Sequence, residues 1–237
     1  MTVDEFSNEF DTLINAYFTT EEYGSAYDKL TFDEYEKSVF LTKAQEDVVL
    51  NLYNGKNVFG DSLEKTEETR RYLSDLIKTE ILSDKKTGYT GLSESSVFFE
   101  LPKDLWFLTY ESVKLNDKSE CLNNKSISVV PITQDEYYKT QRNPFRSSNE
   151  RKALRLDIGE GIVEIISKYN VKEYLIRYLA KPTPIILVDL VDLPRELSID
   201  GEDNKTECKL NPVLHGIILE RAVRMAIESK GLNTGRE

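Results

Sequence analysis

The sequence predicts an α+β fold: an N-terminal helical bundle, a C-terminal helix that joins it, and an antiparallel β-rich middle part. Three observations predict it. Apolar residues recur at helical spacing through residues 1–82, runs rich in β-branched and aromatic residues take over after Gly88, and the chain closes on one more helical stripe. The expected divisions are a helical part at 1–87, a β-rich part with a short helix at 88–208, a C-terminal helix at 209–229 packing on the helical part, and a flexible tail at 230–237. A chain of 237 residues can bury a substantial core, as one large domain or two small ones.

Each element has a local reason. Phe6, Phe10, Leu13 and Tyr17 stack on one face of a first helix that Gly24 closes. Thr31, with Glu34 three residues on, reads as a capping box opening a second helix whose stripe runs through Leu41, Ala44, Val48 and Leu52 to Gly55. Ser62 or Asp61 caps a third helix with Leu73, Ile77 and Ile81 as its inner edge. Ser96 to Pro102, Leu105 to Leu115 and Ser126 to Ile132 read as strands, with a helical turn the alternative for Pro102 to Phe107. In the second of these, Leu105, Phe107, Thr109, Glu111 and Val113 share one face, and Trp106, Leu108, Tyr110 and Ser112 the other. Gln134 to Gln141 is a short helix capped by Thr133, with Glu136 at the capping-box position.

The clearest hairpin is Ala153 to Ile166. Leu154, Leu156 and Ile158 alternate with Arg155 and Asp157, and Gly159-Glu160-Gly161 supplies a turn tolerant of positive φ. Lys172 to Ala180 forms the next strand, alternating Tyr174, Ile176 and Tyr178 against Leu175, Arg177 and Leu179. Pro182 and Pro184 then remove two ladder donors, which makes this stretch an edge or crossover segment, either a rigid junction or a docking surface. Asn211-Pro212 starts the last helix as N-cap plus N1 proline, with Leu214, Ile217, Ile218, Ala222 and Met225 as its buried stripe.

Composition narrows the function. A net charge of −11 argues against a general nucleic-acid binder, because neutralising phosphates requires an excess of Lys and Arg. The charge is uneven: residues 1–50 carry twelve acids against three lysines, whereas Lys139, Arg142, Arg146, Arg151, Lys152 and Arg155 face only Glu150. Either both are solvated faces, or the acidic end of one copy meets the basic loop of the next. Tyr137, Tyr138 and Phe145, interleaved with those cations, allow passing contact with DNA in an assembled channel but no specific binding. Cys121 and Cys208 have no CxxC companion, and a reducing compartment is expected. The N-terminus lacks signal-peptide regions, and no apolar run reaches the roughly 18 residues of a membrane span.

No catalytic, cofactor-binding or metal-ligating residues are expected. His215, the sole histidine, has no Ser, Cys or metal partner implied by spacing and reads as a packed or interface residue. Asp200-Gly-Glu-Asp-Asn lacks the EF-hand order and reads as a hairpin tip. Gly159-Glu160-Gly161 lacks the third glycine of a dinucleotide fingerprint, and no P-loop is present.

Several motifs together resemble the head-to-tail adaptor proteins of short-tailed phages, and in particular the ring proteins that crAss-like phages stack beneath the portal. They are Asp33 to Glu46, Thr66 to Leu73, Asn143-Pro-Phe-Arg, Tyr178 to Leu187, and Leu210 to His215 continuing through Glu220-Arg-Ala-Val. The resemblance implies a non-enzymatic virion protein, made in the host cytoplasm, that forms a ring of twelve copies at the portal-tail junction. It implies contact with the portal and with other tail ring proteins, passing contact with genomic DNA in the channel, and no cofactor or membrane partner. A non-ring adaptor that recognises a host or virion partner is the alternative.

Overall fold

The computed structural model describes residues 1–18, 31–55, 67–116, 123–192 and 197–230. It divides into two compact units, Met1–Leu76 with Pro182–Glu237, and Ile77–Lys181. The expected closure at Gly24, the caps at Asp61 and Ser62, and the tail beyond Lys230 lie outside the described residues. Among those that are described, no helix is long and apolar enough to cross a membrane.

In the helical unit, α1 (Val3–Phe18), α2 (Glu34–Asn54) and α5 (Pro212–Ser229) pack on one another, with α3 (Glu67–Tyr72) a short addition. The buried stripe of α1 is Val3, Phe6, Phe10 and Ile14, so Ile14 takes the place expected of Leu13, and Tyr17 faces outward. Steps of three, four and four have the same mean period as the expected set, so spacing alone does not choose between the two faces. The cap of α2 is Asp33 rather than Thr31: its Oδ1 accepts from Glu36 N at 2.7 Å, and Glu36 Oε2 accepts from Asp33 N at 3.2 Å. Phe32, buried edge-on against Phe10 and Phe40, occupies the position before that cap and so delays the helix start. Leu41, Ala44, Val48 and Leu52 are buried as expected, and Gly55 ends α2 at φ 74°.

The second unit is a seven-stranded sheet in the order β1-β7-β3-β4-β5-β6-β2, comprising β1 (Ile77–Leu82), β2 (Ser96–Glu100), β3 (Leu105–Leu115), β4 (Ser126–Pro131), β5 (Lys152–Gly159), β6 (Ile162–Ile166) and β7 (Val171–Ala180). Every pair is antiparallel except β4 and β5. Parallel neighbours need a long crossover, and residues 132–151 supply it, carrying the short helix α4 (Tyr137–Gln141). The basic segment is therefore largely a sheet connection.

Ile77 and Ile81 belong to a strand, not to the inner edge of a third helix. A spacing of four fits both periods, and β1 pairs with β7 from Ile77↔Leu179 to Leu82↔Tyr174. Ile81 is 58% exposed on this sheet edge. Strand β3 starts at Leu105, which settles the helical alternative, but its expected two-face alternation breaks at bulges between Leu105 and Phe107 and between Leu108 and Tyr110. Leu105 and Leu108 consequently pack against the same cluster. Helix α4 begins later than expected, with Glu136 at its N-cap and no side-chain cap bond.

The main cluster of this unit gathers Phe99, Val113, Ile127, Ala153, Val163, Tyr174, Ile176 and Tyr178 among others. A smaller cluster of Tyr137, Leu154, Leu156 and Ile166 lies on α4. Both faces of β6 are thus covered, and all five of its residues are buried. The β5–β6 turn has φ 112°, 52° and 75° at Gly159, Glu160 and Gly161, as the glycines require. Ile158, expected inward, is exposed because the bulge after Asp157 turns it out.

Candidate assembly surfaces

The chain leaves β7 at Lys181, and Pro182 to Leu187 lies along α2 in the helical unit. Gln45 Nε2 donates to Thr183 O at 2.8 Å. Thr42 Oγ1 accepts from Ile185 N at 3.1 Å and donates to Ile185 O at 3.3 Å, and Ser38 Oγ accepts from Leu187 N at 3.0 Å. Ser38, Thr42 and Gln45 recur at helical spacing and are buried, so one polar line on α2 satisfies one side of an extended backbone whose other side bridges Thr206 at Ile186. Pro182, Pro184, Ile185 and Ile186 are buried. The proline segment is a crossover inside its own unit, and a partner-docking role is not available to it. Strand β7 itself is central, between β1 and β3.

On α5, Asn211 caps Val213 N at 3.1 Å ahead of Pro212, as the sequence requires. Leu214, Ile218 and Ala222 are buried, but Ile217 is exposed together with Val213. His215 is 4% exposed, with its ring 5.4 Å from that of Phe6 and tilted against it. The Met1 amine donates to its Nδ1 at 2.7 Å, which fixes the tautomer whose Nε2–H donates to Leu210 O at 2.9 Å. Burial, together with the adjacent ammonium, lowers its pKa from the ordinary imidazole value, while the Leu210 carbonyl opposes that shift. Because the folded pKa is depressed, the contribution is complete above the unfolded value near 6.5 and is lost as pH falls from there through the folded one. Urea midpoints should therefore fall more steeply between pH 7 and about 5 in the wild type than in His215→Gln. Equal slopes would remove His215 from the pH response.

The acidic end is partly compensated internally. Lys37 is buried and bonds Asp11 at 2.7 Å, Glu34 at 3.0 Å and Ser7 at 3.1 Å. Burial alone would lower its pKa, but the two carboxylates raise it above the ordinary lysine value. Asp4, Glu5 and Glu9 remain exposed, with Asp4 paired to Lys205 at 3.2 Å.

The basic segment does not act as one face. Arg155 turns into the sheet, donating from Nη1 to Asp157 at 2.9 Å, with its Nε 3.2 Å from Glu111 Oε2 in ion-pair range but without hydrogen-bond alignment. Tyr174 donates to the same carboxylate at 2.6 Å, and burial raises the Glu111 pKa against both partners. Lys152 donates to Phe145 O at 2.7 Å. Lys139, Arg142, Arg146 and Arg151 are the exposed cations, and none forms an ion pair among the described residues. Tyr137 is buried, which removes it as a stacking face, whereas Tyr138 and Phe145 are 62% and 88% exposed.

Phe145 stands on a turn that is held internally. Asn143 Oδ1 accepts from Phe145 N at 3.0 Å, and Asn143 O accepts from Arg146 N and Ser147 N at 3.0 and 2.9 Å. Such an Asx-type turn fixes the backbone that carries the exposed ring.

Elsewhere the polar groups are structural. Glu164 on β6, which composition gave no reason to single out, is 2% exposed; its Oε1 accepts from Leu92 N at 2.8 Å and from Ser96 Oγ. Tyr178 OH lies within reach of Glu80 at 3.0 Å and Asp104 at 3.1 Å, and Lys78 pairs with Asp104. A cleft of 340 Å³ between β1 and the end of β2 holds the Lys86–Glu100 ion pair at 2.6 Å beside Glu80 and Asp84. Among the described residues no three His, Cys, Asp or Glu side chains could together hold a metal. Cys208 bonds Gln45 Oε1 at 3.3 Å, and burial raises its pKa; Cys121 lies outside the described residues. Asp200 and Gly201, at φ 53° and 84°, form the tip between Ile199 and Glu202.

The sequence is 51% identical to "Ring protein 3" of Bacteroides phage crAss001 over 239 residues, covering 100% of both chains. It is also 32% identical to "Ring protein 4/5" of the same phage over 233 residues, covering 95% of this chain and 92% of the relative. A profile of phage tail ring protein 3/4 matches residues 1–237, from the first residue of α1's unit to the last of the chain, so the chain belongs to the phage tail ring protein 3/4 family.

Proposed function

We propose that this chain is a non-enzymatic structural subunit of a virion tail, twelve copies of which close a ring at the portal-tail junction around the DNA channel. Family membership over the whole length is the observation that carries this reading. The relatives are named as ring proteins, and a ring of identical subunits requires two different, complementary patches on each copy. Two such patches are present: exposed Lys139, Arg142, Arg146 and Arg151 on the β4–β5 crossover, and the acidic exposed residues of α1. The remaining net negative charge suits a channel through which DNA slides, because phosphate contacts are what would hold it. Synthesis in the host cytoplasm, contact with the portal and contact with other ring proteins complete the proposal.

The test is negative-stain imaging with mass measurement, of the chain alone and with purified portal. Closed rings are expected, and a persistent monomer even with portal present would overturn the reading in favour of a non-ring adaptor. The triple variant Arg142→Glu, Arg146→Glu, Arg151→Glu should abolish closed rings at physiological salt while leaving the fold intact, since all three side chains are exposed. Rings unchanged in that variant would remove the charge-complementary face.

A further inference from the structure

Two features of the chain carry a cost that nothing among the described residues explains. Phe145 is the most exposed large hydrophobic residue described, held outward by a turn that is hydrogen-bonded for that shape. Gly216 sits inside α5, where glycine is the least favourable residue after proline, yet a Cβ added there would meet nothing within 4 Å. Its φ is not positive, so no backbone strain requires glycine. An interior helical glycine with no neighbour among the described residues leaves room for close approach from outside. Val213 and Ile217, four residues apart, share an exposed face that Gly216 borders, and Glu220 follows on that face, also exposed.

We propose that the Phe145 ring of one copy seats over Gly216 of the next, between Val213 and Ile217, with Arg142 or Arg146 reaching Glu220. The proposal rests on the ring reading and names its contact. The occupant is a second copy because both halves of the pair are on this chain: an apolar knob flanked by cations, and an apolar notch with a carboxylate at its end. Knob and notch are different patches, which gives the head-to-tail contact a closed ring needs. The missing Cβ lets an aromatic ring rest on the helix backbone, and a rigid aromatic in an apolar seat is the usual form of an energetic hot spot.

The experiment uses Phe145→Ala and Gly216→Leu, singly and mixed in equal amounts, beside the wild type in sedimentation velocity. Neither variant changes a charge, and Gly216→Leu should melt no lower than the wild type because leucine is the better helix former. Each variant alone should lose assembly by at least about tenfold in apparent affinity. The mixture should form a dimer and stop there, since the knob of Gly216→Leu meets the notch of Phe145→Ala and both remaining halves are disabled. If the wild type and both variants assemble equally, the contact is wrong and the ring reading stands. If the variants fail but the mixture stays monomeric, each residue serves self-association without meeting the other, and this contact is wrong. A wild type that never assembles overturns the ring reading and this contact together.

Discussion

Thr42→Val is expected to lower the unfolding free energy by about 2–3 kcal/mol, although it replaces a hydroxyl with a methyl of nearly equal volume. The single Oγ1 serves both Ile185 N and Ile185 O, and Thr42 is 4% exposed, so water cannot replace it. Valine would leave a buried N–H and C=O unpaired in a segment that has no sheet ladder, and the unpaired N–H carries most of the cost. Thr42→Ser keeps the hydroxyl and should lose less than about 1 kcal/mol. Chemical denaturation separates the two. Equal losses in both variants would mean that packing of the methyl, and not the hydrogen bonds, holds Pro182–Leu187 against α2.

Glu164→Ala should cost about 3 kcal/mol and release the loop ahead of β2. The Glu164 carboxylate receives Leu92 N at 2.8 Å and the Ser96 hydroxyl from within a strand whose every residue is buried. The approach is close enough to dictate the sequence of the loop: a Cβ on Gly91 would lie 2.5 Å from Ser96 Cβ and 2.7 Å from Glu164 Oε1. Glu164→Gln retains an acceptor and should keep most of the stability. Hydrogen exchange reports the local effect, with protection at Leu92 lost in Glu164→Ala and retained in Glu164→Gln. Unchanged protection at Leu92 in both would show that the loop is held by other contacts.

These two residues also show what a sequence reveals and what it hides. The turn at Gly159-Glu160-Gly161, the cap at Asn211-Pro212 and the stripe Leu41-Ala44-Val48-Leu52 were legible because each is fixed by neighbours in sequence. Strand β1 was not legible, since Ile77 and Ile81 fit a helix as well as a strand, and only pairing with β7, some hundred residues away, decides between them. Glu164 was not singled out in the sequence, because its burial depends on a loop that packs back from residues 91–96. Arg155 likewise reads as one of six surface cations, but β5 turns it toward Glu111. The proline stretch was correctly an interruption of the ladder, but only the fold could place it against α2. The basic crossover and the exposed Phe145 were legible as composition, while the exposure of Val213 and Ile217 around Gly216 required the packing of α5 to be known.

If the chain is one of many identical subunits around a tail axis, electron cryomicroscopy of virions of the phage that encodes it, with this fold placed in the density, should show a closed ring of twelve copies at the portal-tail junction, encircling the channel. Density that placed the chain outside the axial rings, or as isolated copies on the tail surface, would contradict it.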